Sequence, residues 1–218
     1  MLDWTEIEDA RIKATLGQFP DDTRFRHCVP PFFTHGHLIR AENEEWGDTR
    51  SYAVECDGRF VGLTGQTQDA AAACALAGVQ VTRESLADYL VFHAYFTRAE
   101  GQSLVLGPAY DFLTPVLGIA DQDASDAMDA VDITGSNPDG GLLCSYSALV
   151  RSELVCRIDA LVMPDGRVEV KSSKRICVCR MPLRVELDPW DYQIAQRRER
   201  KQVPLSWWRR LSWKTTRR

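Results

Sequence analysis

An α+β fold, with N-terminal helices packed on a C-terminal antiparallel β-meander, is the class the sequence predicts, and three observations predict it. Between Thr82 and Gly101 the apolar residues recur at helical spacing. From Leu142 onward the apolar period changes to two, in short runs separated by turn residues. The composition, 44% hydrophobic and 26% charged over 218 residues, suits a chain able to bury a core. The expected organisation is a single α+β domain over 1–188 and a basic, Trp-rich C-terminal segment over 189–218.

Taken in order, Asp3 to Phe19 reads as a helix stopped by Pro20-Asp21-Asp22. "HCVPPFFTHGHLIRAENEEW" is a proline-interrupted segment leading into a short Glu-rich helix. "TRSYAVECDGRFVGLTG" is a hairpin about Asp57-Gly58. Thr67 can cap the next helix, through "QDAAAACALA", which Gly78 stops. Its alanines would let it lie close to whatever it packs on.

"TRESLADYLVFHAYFTRAEG" is the strongest helix, with Thr82 as its N-cap. Leu86, Tyr89, Leu90, His93 and Phe96 form one stripe, and Val91, Phe92 and Tyr95 extend the apolar surface, so burial on several sides follows. "QSLVLG" is a strand. Pro108 to Gly141 is loop-rich, with one acidic helix near 124–131. "LLCSYSALV", "SELVCRIDALVM", "RVEVKSS" and "RICVCRM" are four strands of a meander.

Composition also excludes function classes. The acidic N-terminus has no apolar run of the secretory kind, and the 70–79 stretch is too short to span a bilayer, so a soluble, cytoplasmic protein without a transmembrane segment is expected. Seven cysteines without a CxxC pair fit buried, reduced thiols rather than a zinc ribbon. Charge is unevenly spread. Residues 197–218 hold nine Lys/Arg and one Glu, or +8, which leaves −13 on the first 196 residues of a chain whose total is −5.

The stretch "RIDALVMPDGRVEVKSSK" carries the chemistry most open to reading. Leu154, Cys156, Ile158, Ala160 and Val162 form an apolar face, with Glu153, Arg157 and Asp159 on the other. A three-residue Pro164-Asp165-Gly166 loop pairs Val162 with Val168 and Ala160 with Val170; a two-residue loop would pair Val162 with Glu169 and mix the faces. The three-residue loop is therefore expected, with Asp159 opposite Lys171.

Asp159, Glu169 and Lys171 on one face resemble the PD-(D/E)xK nuclease core. That resemblance implies a magnesium ion held by Asp159 and Glu169, with Lys171 orienting the attacking water or stabilising the phosphate charge. It covers about twenty residues. "YQIAQ" at 192–196 falls where some members carry a Gln/Tyr helix, and Glu42, Glu44 and Glu45 are available as the upstream acid such enzymes need. The bland alternative is a cross-strand ion pair on a solvated sheet face. The wider framework, "GLTGQTQDAAAACALAGV" with "ESLADYLVFHAYFTRAEG" and "PDGRVEV", resembles bacterial proteins of no stated activity.

Other signals are weaker. His27, Cys28, His35 and His37 are zinc-ligand types without zinc-motif spacing, so no metal is expected there. His93 reads as a core histidine. "GLTGQTQ" lacks the Gly-Lys-Ser/Thr of a phosphate loop, and "DQDASD" has Asp126 where a calcium loop needs glycine.

The most unusual segment is "LSWWRRLSWKTTRR". Leu205, Trp207, Trp208 and Leu211 share half a helical wheel beside basic residues, which suits an acidic protein surface, a nucleic acid or an anionic membrane surface. The alternative is that the tryptophans fold onto the protein's own sheet. The leading expectation is a non-catalytic binding, adaptor or assembly-subunit protein. It docks through Trp207, Trp208, Arg209, Arg210 and Trp213 and needs no cofactor. The alternative is the magnesium-dependent nuclease.

Overall fold

The computed structural model describes residues 2–7, 19–20, 22–43, 50–98, 102–108 and 113–180, together with two short paired strands, Glu186–Leu187 and Ile194–Ala195. It divides into two compact units, Met1–Val79 with Val185–Arg218, and Gln80–Arg184. The basic segment, with its five expected contact residues, lies outside the described residues. So do the Glu-rich stretch 44–49 and most of the helix expected at the N-terminus.

The first unit is itself an antiparallel meander, so the N-terminal half is not simply a helical layer. Its strands are β1 (Thr5–Glu6), β2 (Arg24–Cys28), β3 (His37–Glu42), β4 (Arg50–Cys56) and β5 (Arg59–Leu63), paired in that order. Thr5 and Glu6 pair with His27 and Arg26, which removes the first residues of the expected helix. His37–Glu42 is a strand for a reason that periodicity hides. Leu38, Ile39, Arg40 and Ala41 are all buried, so both faces are covered and no alternation marks the run.

The β4–β5 hairpin forms as expected. Cys56 pairs with Arg59 across Asp57 and Gly58, whose φ values of 50° and 76° make the turn that two left-handed residues allow. Helix α1 (Thr67–Ala77) follows and packs on β4 and β5 through Ala70, Ala73 and Ala77. Gln66, not Thr67, occupies its N-cap, and Gly78 ends it at φ 63°. Ile7, Phe19, Ile39, Ala41, Ala53 and Phe60 form a core cluster in this unit.

The second unit opens with α2 (Leu86–Phe96), buried at Leu86, Tyr89, Leu90, Phe92, Ala94, Tyr95 and Phe96. A turn at 83–85 precedes it, held by the Thr82 N–H on the Ser85 hydroxyl, so the N-cap falls at Ser85. Then come β6 (Gln102–Leu106), α3 (Leu113–Leu117), α4 (Asp121–Ala127) and β7 (Asp132–Ser136). From Pro108 to Gly141 the sequence predicts one helix and no strand, whereas β6 falls where a strand is expected. The acidic helix starts three residues earlier than expected, and β7 escaped because Asp-Ile-Thr-Gly-Ser offers one apolar residue to a period-two pattern.

Three long strands close the unit: β8 (Leu142–Val150), β9 (Leu154–Val162) and β10 (Val168–Val178). The last two expected strands are one, because the ladder on β9 continues through the polar Ser172-Ser173-Lys174 by means of two bulges. The sheet order is β10-β9-β8-β6, with β7 also paired to β8. Beside β8, β6 takes Ser147 to Val150 and β7 takes Leu142 to Ser145. Tyr89 of α2 donates its hydroxyl to the Gly166 carbonyl, anchoring the β9–β10 loop. An α+β chain with an antiparallel C-terminal meander is what the sequence predicts and what is seen.

Candidate functional site

The β9–β10 loop has the expected three residues. Val162 pairs with Val168 and Ala160 with Val170, Gly166 takes φ 85°, and its N–H reaches the Met163 carbonyl at 2.9 Å. Turn chemistry and apolar pattern fixed this register together.

Four residues on, the expected register fails. Asp159 pairs with Ser172, because a bulge between Val170 and Ser172 ejects Lys171 from the ladder. The Ser172 hydroxyl donates to the Asp159 carboxylate at 2.6 Å. That bond, and a second from Ser145, hold the Asp159 pKa below the ordinary carboxylate range. Lys171 turns instead to Glu169, at 2.6 Å, and both side chains are largely exposed. Neighbouring polar groups are also engaged. Arg157 donates to Ser145 at 2.8 Å and lies 3.5 Å from Asp129, and Ser147 donates to the Asp126 carbonyl of α4.

Asp159 and Glu169 thus share a sheet face, while Lys171 pairs along its own strand. Of the candidate upstream acids Glu42, Glu44 and Glu45, only Glu42 lies among the described residues, and it takes Arg40 at 2.6 Å and Arg50 at 3.3 Å on one oxygen, within the other unit. Among the described residues no group of three or more His, Cys, Asp or Glu side chains is arranged to hold a metal ion.

The histidine-rich stretch of the first unit sorts differently from its spacing. Cys28 is buried with its thiol pKa pushed up to about 12, chiefly by loss of solvent, so it stays protonated at neutral pH. His35 precedes β3, and its Nδ1 meets the Thr34 hydroxyl at 2.9 Å. The residues brought together are His27, His37 and Glu55. His37 lies opposite Glu55, and His27 opposite Ile39, one diagonal step from His37 on the same face. The two imidazole rings stand 4.9 Å apart between centroids.

Glu55 is buried, with one carboxylate oxygen accepting the Gly58 N–H at 2.8 Å and the other 3.2 Å from His37 Nδ1. Gly36 fits this corner because it has φ 78° and no side chain. A Cβ there would stand 2.7 Å from the Glu55 carbonyl oxygen. His27 Nδ1 is buried and has no hydrogen-bond partner among the described residues. Burial, and His37 beside it, hold the His27 pKa below the ordinary imidazole value, with Glu55 opposing.

His93, expected in the core, is half-buried on α2 with its ring 6.1 Å from Tyr89. All seven cysteines are free thiols. No helix of the described residues is long and apolar enough to cross a membrane. No family model, curated protein or solved structure matches the chain.

Proposed function

We infer that the chain is a non-catalytic binding or assembly-subunit protein of the cytoplasm. It docks to a protein partner or another acidic surface through residues 197–218, with Trp207, Trp208, Arg209, Arg210 and Trp213 as the contacts. The observation that carries this reading is charge segregation, +8 in those 22 residues against −13 in the rest. Charge draws the segment to an acidic surface, and the indoles supply apolar contact once there.

The polar face of the second unit supports the same reading. A nuclease site needs carboxylates free to take a metal and a lysine free to meet phosphate. Here Asp159 is taken up by Ser172 and Ser145, and Lys171 by Glu169, on an exposed sheet face. The alternative remains a magnesium-dependent nuclease using Asp159, Glu169 and Lys171. One observation favours it: Asp159, with its lowered pKa, is ionised at neutral pH as a metal ligand must be.

Two measurements test the choice. The intact chain and one ending at Gln196 are compared as baits in lysate from the native cell. Binding should be lost on truncation while circular dichroism of the body is kept. Arg209→Glu with Arg210→Glu should weaken binding and flatten its salt dependence, whereas Trp207→Ala with Trp208→Ala should weaken it without changing that slope. An unfolded truncated chain would assign the tryptophans to the protein's own core and end the docking idea. Magnesium-dependent cleavage of DNA, abolished by Asp159→Asn and Lys171→Ala, would establish the alternative.

A further inference from the structure

The geometry points to a transition-metal site of zinc type on the first sheet, with His27 and His37 as its two protein ligands and Glu55 as the carboxylate that orients His37. This assignment is independent of the docking role proposed above. It starts from the His27 Nδ1 atom, buried in a half-buried side chain and without a partner among the described residues. Buried polar atoms of native proteins are nearly always satisfied, and an orphan calls for a water, an ion or a functional role.

The second imidazole is placed to share such an ion. Zinc–nitrogen bonds of ~2.0–2.1 Å put each ring centre about 3.2 Å from the metal, and near-tetrahedral ligands then space two ring centres by about 5 Å. The observed separation is 4.9 Å. A stacked pair would bring the ring planes toward parallel, but here they are inclined at 55°. The carboxylate completes the arrangement. An ionised Glu55 only accepts hydrogen bonds, so His37 Nδ1 carries the proton facing it and Nε2 keeps the lone pair for a ligand bond. Glu55 is itself held by the Gly58 N–H of the adjoining turn.

Two imidazoles leave the remaining positions to water or to an external donor. The site is therefore open, and its affinity should be modest compared with a four-ligand cage. Cys28 is excluded as a third ligand by its place in the ladder. It pairs with Leu38, so it faces away from His27 and His37.

The test uses the full chain, reduced and freed of metal, titrated with Co2+ and separately with Zn2+. One equivalent should bind, giving visible cobalt d–d bands without the near-ultraviolet thiolate charge-transfer band that cysteine ligation produces. His27→Gln and His37→Gln should each weaken binding at least tenfold, and Glu55→Gln about ten- to a hundredfold. Zn2+ should raise the Tm of the native chain and leave that of His27→Gln unchanged, a readout that does not depend on colour. Should Glu55→Gln fail to fold, the two histidine variants decide. Absence of binding, binding undiminished in either histidine variant, or a thiolate band would overturn the assignment.

Discussion

The two polar clusters, one on each sheet, differ in what burial leaves undone. On the second unit, Asp159, Ser172, Ser145, Arg157 and Asp129 form a chain of donors and acceptors in which the acid, the base and both hydroxyls have partners. On the first, Glu55 and His37 satisfy each other beside a His27 whose buried nitrogen has no partner among the described residues. The more exposed cluster contains Asp159, one of the three residues that resemble an enzyme motif. The half-buried one contains residues whose spacing matches no motif. Spacing along the chain records which residues exist, whereas unused bonding capacity is decided by which strands lie side by side. The second is the better guide to chemistry.

The largest blow to the first cluster should come from its core. Phe60 pairs with Glu55 and is 1% exposed, so Phe60→Ala should cost about 3–5 kcal/mol in denaturant unfolding. A loss below 1 kcal/mol would mean that this sheet face is not packed as described.

A pair of glycines sharpens the comparison within one strand pair. Gly36 and Gly58 have nearly equal φ, 78° and 76°, but a Cβ at Gly58 meets nothing within 4 Å. Gly58→Ala should therefore cost only the left-handed conformation, ~1 kcal/mol, and Gly36→Ala distinctly more, ~2 kcal/mol or above, because the Glu55 carbonyl must also yield. Equal losses would show that the corner beside Glu55 is loose.

Acid separates the clusters by where stability is lost. His27 has a folded pKa below its unfolded value, so the unfolded chain takes the proton more readily. Its contribution is intact above the ordinary imidazole pKa of about 6.5 and is lost as pH falls through the lower folded value. Melting curves between pH 7 and 5 should fall less steeply for His27→Gln than for the native chain.

Asp159 obeys the same sign one window lower. Its contribution is present above an unfolded pKa of about 3.9 and is lost as pH falls through the depressed folded value. Because the side chain is exposed, Asp159→Asn should have the smallest effect of the series at neutral pH, and should flatten only the acid limb below about pH 4. A large loss at pH 7 would mean that the polar chain through Ser145 and Ser172 carries much of the sheet's stability.

Much of the fold was legible where a local rule and the apolar pattern agreed. The Asp57-Gly58 turn, the alanine helix ended by Gly78, and the Pro164-Asp165-Gly166 loop are each decided by a few neighbouring residues, and each was read correctly. Strand β3 reads as loop and helix in the sequence because both of its faces are buried and the alternation that marks a strand disappears. The bulge at Lys171 was invisible because nothing in Val-Lys-Ser distinguishes a bulged residue from a paired one; its effect on the partner of Asp159 shows only in the ladder.

By itself the sequence determined the α+β class, the turns and the apolar faces of the last meander, because these follow from backbone preferences and side-chain periodicity over a few residues. It also determined the division of charge between the body and residues 197–218. Only the tertiary structure decided that the first eighty residues build a sheet of their own, that Asp159 meets Ser172 rather than Lys171, and that His27 joins His37 and Glu55. The first and third depend on the pairing of strands joined by longer connections, and the second on a bulge within a hairpin; neither is encoded in local spacing.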